Sequence, residues 1–248
     1  MSLLQKVPAN KLQWIAVALL VIYPLSIIAA RLEIWHFRNS FLLLIVAALV
    51  SFIVLVLSVL KLGQGQHSDA KPLIVALICT LTPLAVMGNS VFKAQSSPFI
   101  HDIVTDTANP PEFVAAKQAR VEGDHDVTYA GKEVADLQLA GYPDLKPLVL
   151  QQAASQVFDD AKVAMLANGW TILAENNQKL PYTLEAVDSS LLFGFKDDVI
   201  VRIAQSLTSE DSEAVTTTVD VRSMSRQGKS DMGANAKRIT KLLDQLQK

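Results

Sequence analysis

Three long apolar segments occupy the first part of the chain and set it apart from a polar remainder. They cover residues 12–30, 41–60 and 73–92, and none of them contains an acidic or basic side chain. Because about 20 helical residues cross the hydrocarbon core of a bilayer, each segment predicts a membrane-spanning helix. The second segment follows the first closely, which favours an anchor over a cleaved signal peptide. Residues 1–92 are therefore predicted to form a transmembrane region.

Charge divides the chain in the same way. The first 95 residues hold seven Lys and Arg against two acidic residues, whereas the remainder holds 15 basic and 22 acidic residues. A basic membrane portion suits anionic lipid, and an acidic remainder argues against nucleic-acid binding, which needs a basic face. The expected partners are the lipid bilayer and, as a further option, other membrane or envelope proteins, with no nucleic acid. Without ionisable residues, the spans indicate an anchor and not a transporter.

Four basic residues flank the spans on one side of the membrane and three flank them on the other. Because positive residues concentrate on the cytoplasmic side, the side with four is predicted to be cytoplasmic. The N-terminus is then cytoplasmic, and the C-terminal domain lies outside the inner (plasma) membrane, which is the periplasm if the cell is Gram-negative. The residues on the predicted inner side are Lys6, Lys11, Lys61 and Lys71, and those on the outer side are Arg31, Arg38 and Lys93.

A long polar connecting segment, residues 93–146, separates the spans from the next regular pattern. It contains scattered prolines and acidic residues, and only residues 111–120 resemble a helix. Such a length exceeds an ordinary loop. The segment is either an extended strap laid over the following domain or a flexible linker. The strap is favoured by apolar side chains that could dock it, namely Phe99, Ile100, Ile103 and Val104.

Residues 147–248 show helical periodicity at both ends and strand alternation between them. This order predicts the α+β class, with an antiparallel sheet of about four to five strands and two helices on one face. Asp220 and Arg202 are expected to pair across the sheet. The predicted helices cover 147–168 and 233–247, the strands cover 170–174, 182–187, 191–195, 199–204 and 214–223, and a hairpin turn covers 196–198.

Parts of the domain resemble a known family. Residues 193–202 and 220–239, with shorter stretches at 100–106 and 109–113, are similar to the domain of unknown function 1499 family. The resemblance covers roughly residues 98–246. That family is described from bacteria and plastid-bearing eukaryotes, often behind membrane spans, and has no established activity. The resemblance therefore implies a domain boundary and no mechanism.

The basic loop before the last predicted helix is the strongest candidate for a binding site. A helix start offers free amides and a positive dipole end, which suit a phosphate, a lipid headgroup or a glycan carboxylate. In the alternative, Asp231 or Ser230 caps the helix, and Arg226 pairs with a carboxylate such as Asp197 or Asp231 to hold the loop in place. The candidate anion-binding residues are Arg202, Arg222, Arg226, Lys229, Asn235 and Arg238.

Histidines beside carboxylates offer a second candidate chemistry. His101 precedes Asp102, and His125 lies between two aspartates, as an acid/base pair or metal ligands would. Neither histidine has a paired-ligand spacing, so no metal and no cofactor is expected. An alternating strand explains His101 equally well. The residues with a structural or acid/base role are His101, Asp102, Asp106 and Asp231.

Motifs for nucleophilic or nucleotide chemistry are missing from the sequence. It holds no Gly-x-Ser-x-Gly turn and no phosphate loop, and the one cysteine, Cys79, lies in the third span. We therefore expect a membrane-anchored envelope protein of uncharacterised function, whose domain is a binding or scaffold module for an anionic ligand or a partner protein. The alternative is a hydrolase or lyase that acts on an anionic envelope substrate through His101, Asp102, Arg226 and Lys229.

Overall fold

A computed structural model describes residues 7–63, 70–207 and 215–248. It divides into two compact units. The first comprises Met1–Phe92 together with Leu191–Gly194, and the second comprises Lys93–Ser190 together with Phe195–Lys248.

The first unit contains three apolar helices, each long enough to cross a bilayer. They are α1 (Ala9–Arg31), α2 (Phe37–Gly63) and α3 (Ala70–Gln95). Small side chains lie between α1 and α2, where Ser26 Oγ donates to the Ser40 carbonyl at 3.2 Å and Ser40 Oγ donates to the Ser26 carbonyl at 2.7 Å. Such close contacts are typical of helix packing in lipid. The prediction of three apolar N-terminal helices is confirmed.

The second unit is built around an antiparallel sheet of six strands. The strand order is β1-β6-β5-β4-β3, and β2 pairs with β6 beside β1. In chain order the elements are β1 (Asp102–Val104), α4 (Ala115–Ala119), α5 (Lys132–Gly141), β2 (Leu148–Leu150), α6 (Ala154–Ala167), β3 (Thr171–Asn176), β4 (Tyr182–Ser189), β5 (Lys196–Leu207), β6 (Val215–Ser225) and α7 (Ala234–Leu246).

Helices α6 and α7 pack against one face of this sheet and form the main core. Their apolar side chains recur every three or four residues, and those of the strands alternate, so both periods present one continuous apolar surface. The largest core side chains include Phe158, Met165, Ile239 and Leu242. The predicted α+β class with an antiparallel sheet is confirmed.

Residues of the connecting segment cover the opposite face. Phe113 and Ala116 pack there against Ile200 of β5 and Met224 of β6, and all four side chains are buried. The segment also supplies β1, α4 and α5 to the unit. The sheet therefore lies between two apolar layers, one of them made by a stretch with little regular structure.

One predicted strand is wrong. Residues 191–193 form a turn, and the residues predicted to turn, 196–198, begin β5 instead. Asp197 and Asp198 are both buried and bind arginine side chains. Paired carboxylates can stay in a strand, so two adjacent aspartates did not mark a turn here.

The start of the first predicted helix is also wrong. Helix α6 begins at Ala154 and not at Pro147, because Leu148–Leu150 form β2 on the edge of β6. Leu148 lies opposite Val219 in this pairing. The edge of β6 satisfies the backbone N–H and C=O groups of these residues as well as a helix would. The helical spacing of Leu150 therefore led to the wrong prediction.

Candidate functional site

Arg222 is fully enclosed between the sheet and the connecting segment. Its side chain forms two parallel bonds with Asp102, from Nε at 2.9 Å and from Nη2 at 2.8 Å. It also donates to the carbonyls of Pro111 at 3.0 Å and Val127 at 2.7 Å. A paired guanidinium with 2% of its side-chain surface exposed holds its own chain in place and offers little to a ligand.

Arg226 binds a second buried carboxylate. Its Nη2 lies 2.8 Å from Asp198 Oδ1, and its Nη1 donates to the Ala119 carbonyl at 3.0 Å. Arg120 of the connecting segment reaches the same aspartate, with Nε 3.0 Å from Oδ2. The expected pairing of Arg226 with a carboxylate is confirmed, although the partner is Asp198 and neither Asp197 nor Asp231.

Arg202 forms the predicted cross-strand pair. Its Nη2 lies 2.9 Å from Asp220 Oδ2 and also donates to the Asn109 carbonyl at 2.8 Å. Asp106 lies 3.8 Å from the same nitrogen and accepts the amide of Ala108 at 3.0 Å. Each of the three arginines on this face thus binds an aspartate and at least one carbonyl of the connecting segment. These bonds fix the path of that segment.

Asn235 and Arg238 form a separate network on the helix-covered face. Arg238 donates from Nε to Asp188 at 2.9 Å and from Nη2 to Asp197 at 2.6 Å. Asn235 accepts from Ser223 Oγ at 2.7 Å and donates to the His101 carbonyl at 3.0 Å. These bonds tie α7 to the ends of three strands.

Asp231 caps the start of α7, as the alternative interpretation expects. Its carboxylate accepts the amides of Gly233 at 2.9 Å and Asn235 at 2.8 Å. Burial raises its pKa above the ordinary value, and these two amides act in the opposite direction. The helix start therefore already holds a carboxylate of the same chain. Among the six candidate anion-binding residues, Lys229 alone is exposed, and the other five are buried or half-buried.

An open cleft of about 410 Å³ brings Lys229 together with both soluble-domain histidines. We call it the histidine cleft and define it by six of its lining residues. They are Phe99, His101, His125, Glu133, Leu137 and Lys229.

The two imidazoles are stacked in this cleft. Their ring centroids are 4.2 Å apart and their planes are inclined by 26°. His125 Nε2 lies 2.9 Å from the Gly228 carbonyl, so this nitrogen carries the proton and donates. Burial, reinforced by the positive charge that His125 can carry, lowers the pKa of His101. His101 is accordingly a neutral imidazole at neutral pH.

The candidates from the sequence are thus brought together only in part. His101 and Lys229 share the cleft, but both oxygens of Asp102 bind Arg222, so Asp102 is not a free base beside His101. Within residues 7–63, 70–207 and 215–248, no group of three His, Cys, Asp or Glu side chains could hold a metal. The stacking of His125 on His101 was not foreseen, because no motif links two positions 24 residues apart.

The fold and the charged networks define a membrane-associated protein, with three apolar helices ahead of an α+β domain whose arginines are bound internally. The chain belongs to the family described as Protein of unknown function (DUF1499), whose model matches residues 102–246. The resemblance found in the sequence is therefore confirmed. No curated protein and no solved structure matches the chain.

Proposed function

We propose that the protein is a membrane-anchored binding module of the cell envelope, and that its ligand enters the histidine cleft. The observation that carries this proposal is the exposed ammonium of Lys229 beside two accessible imidazoles in one cleft. The Lys229 ammonium is a donor that an anionic group can use, and the two imidazole rings form the wall beside it.

The remaining walls favour a ligand that is only partly charged. Phe99 is 69% exposed and Leu137 is 45% exposed, so both offer apolar surface to the cleft. Glu133 adds a negative charge to the lining, which disfavours polyanions. The chemistry that fits is a single anionic group next to an apolar portion, as in a lipid headgroup with its chains or an acidic peptide with a hydrophobic side chain.

Binding is tested by purifying the full chain in mild detergent and identifying bound lipids and proteins by mass spectrometry. Lys229→Glu reverses the cleft charge, and Lys241→Glu makes the same change at an exposed lysine of α7. We expect the ligand to be lost from the first variant and retained by the second. Equal retention by both variants would contradict the proposal.

The proposed location is the inner (plasma) membrane, with the N-terminus in the cytoplasm and the α+β domain outside it. The basic residues flanking the spans support this orientation. Alkaline phosphatase, which is active only outside the cytoplasm, and a fluorescent protein that matures only inside it are fused separately to the C-terminus. We expect phosphatase activity without fluorescence, and the reverse result would overturn the placement.

One observation supports the alternative of a hydrolase or lyase. The lowered pKa of His101 keeps its imidazole neutral, and a neutral imidazole can accept a proton from a bound substrate or water. If the protein is an enzyme, His101→Gln retains the copurifying ligand but no longer converts it. An intact ligand after incubation with the unmodified protein would exclude this alternative.

A further inference from the structure

The turn between β4 and β5 exposes adjacent leucines. Leu191 is 83% exposed and Leu192 is 54% exposed. We call residues 191–193 the leucine turn. Two hydrogen bonds close its base: Ser190 donates its amide to the Phe195 carbonyl at 2.8 Å and accepts the Phe195 amide on Oγ at 2.9 Å. Adjacent large apolar side chains at a closed hairpin tip indicate an interaction surface.

Strand register places the leucine turn at a particular end of the sheet. Asp102, the first residue of β1, lies opposite Met224, and Met224 lies opposite Asp198 near the start of β5. Asp198 in turn lies opposite Val187 near the end of β4. The start of β1 and the leucine turn therefore share one end, about 15 Å apart across three strand spacings.

That end is also the one tethered to the membrane. Helix α3 ends at Gln95 and β1 starts at Asp102, so residues 96–101 form the connection. Seven Cα–Cα steps lead from Gln95 to Asp102, and they reach at most about 25 Å when fully extended. The length of this connection alone limits how far the start of β1 can lie from the end of α3.

We propose that the leucine turn inserts into the headgroup region of the bilayer and forms a second, non-helical membrane contact. Leucine side chains at the boundary of headgroups and acyl chains gain apolar burial. Exposed Lys196, at the base of the turn, suits anionic headgroups. The opposite end of β4 differs, since Gln178 and Lys179 are exposed and polar there. The contact requires neither a particular orientation nor a ligand in the histidine cleft.

The test uses the full chain in nanodiscs of phosphatidylethanolamine and phosphatidylglycerol. Cys79, the one native cysteine, is first replaced by serine. Leu191→Cys then carries an environment-sensitive fluorophore, and Gln178→Cys carries the same label at the opposite end of β4. We expect blue-shifted emission at position 191 and strong quenching by lipids with a nitroxide on the upper acyl chain, with neither effect at position 178.

Two results would overturn the proposal. One is equal quenching at both positions. The other is blue-shifted emission at position 191 without quenching by labelled lipid, which would show that protein covers the turn. A second measurement places the label at Lys196→Cys and leaves the turn free of dye. There, the double change Leu191→Ser and Leu192→Ser should reduce quenching without lowering the unfolding midpoint, because both leucines are exposed.

Discussion

Replacing Asp102 by alanine removes the partner of a fully enclosed positive charge in the domain. The arginine left behind, Arg222, has 2% of its side-chain surface exposed and makes two of its bonds to this carboxylate. Its other donors reach two carbonyls of the connecting segment and the Met224 sulfur. Asp102→Ala therefore leaves a guanidinium buried without a counter-charge, and the fold cannot readily hydrate it.

Removing one partner of a buried ion pair costs about 3 to 5 kcal/mol, mainly because the other charge stays buried. For a unit of about 150 residues, this corresponds to a fall in Tm of roughly 6 to 20 °C. Replacing both partners, with Asp102→Ala and Arg222→Met, removes both charges. The double variant should therefore be more stable than Asp102→Ala alone, despite the carbonyls that lose their donor.

The assay follows the fluorescence of Trp170, which is 5% exposed in the main core, during urea unfolding of the full chain in detergent. Trp14 and Trp35, the other two tryptophans, are replaced by phenylalanine in every variant. The matched control is Asp136→Ala, since that aspartate forms an exposed pair with Lys132 and should contribute less than about 0.5 kcal/mol. A cost below about 1 kcal/mol for Asp102→Ala would refute the reasoning.

Three further changes test other buried groups. Burial and Asp102 raise the pKa of Tyr129 to about 12, so stability should fall as pH rises from 10 to about 12. Tyr129→Phe should reduce this loss, to which the raised pKa of Tyr142 also contributes. The buried hydroxyl of Tyr129 has no hydrogen-bond partner in the described part of the chain, so the same change at neutral pH should be neutral or stabilising by up to about 1 kcal/mol. The pKa of His101 is lowered in the fold, so the unfolded chain binds this proton more readily than the folded chain does. Stability should therefore fall as pH drops below 6.5. His101→Gln should remove this pH dependence from the midpoint of urea unfolding. Glu185 accepts the amides of Val114 at 3.0 Å and Ala116 at 2.8 Å, so Glu185→Gln should cost about 1 to 3 kcal/mol and speed hydrogen exchange at Ala116.

Long periodic stretches were predicted well from the sequence. The three spans differ from α1, α2 and α3 by a few residues at each end, and α7 covers nearly all of the predicted 233–247. The pairing of Asp220 with Arg202 followed from strand alternation alone. In each case the helical or strand period within one element was enough for the prediction, because the buried side chains repeat along that element itself.

Features that depend on distant partners were not predicted. Residues 196–198 have the composition of a turn, but they stay in β5 because distant arginines bind Asp197 and Asp198. Two of these arginines lie 28 and 41 residues later in the chain, and Arg120 lies 78 residues earlier. Residues 148–150 have helical spacing, but the edge of β6 takes them as a strand. The histidine cleft has the same origin, since it forms only when β1 and the stretch around His125 meet.

The internal pairing of the arginines changes which ligands the domain can attract. Beyond residue 95 the chain has 15 basic and 22 acidic residues, and the buried pairs take basic and acidic residues out of the surface together. The surface that remains is therefore net acidic, and a distant anion is not steered towards it. If an anionic ligand binds in the histidine cleft as proposed, it is held at short range, by the Lys229 ammonium and by burial of an apolar portion against Phe99. Under that proposal, a ligand that reaches the cleft along the membrane needs no long-range attraction, whereas a freely diffusing anion has to overcome the acidic surface.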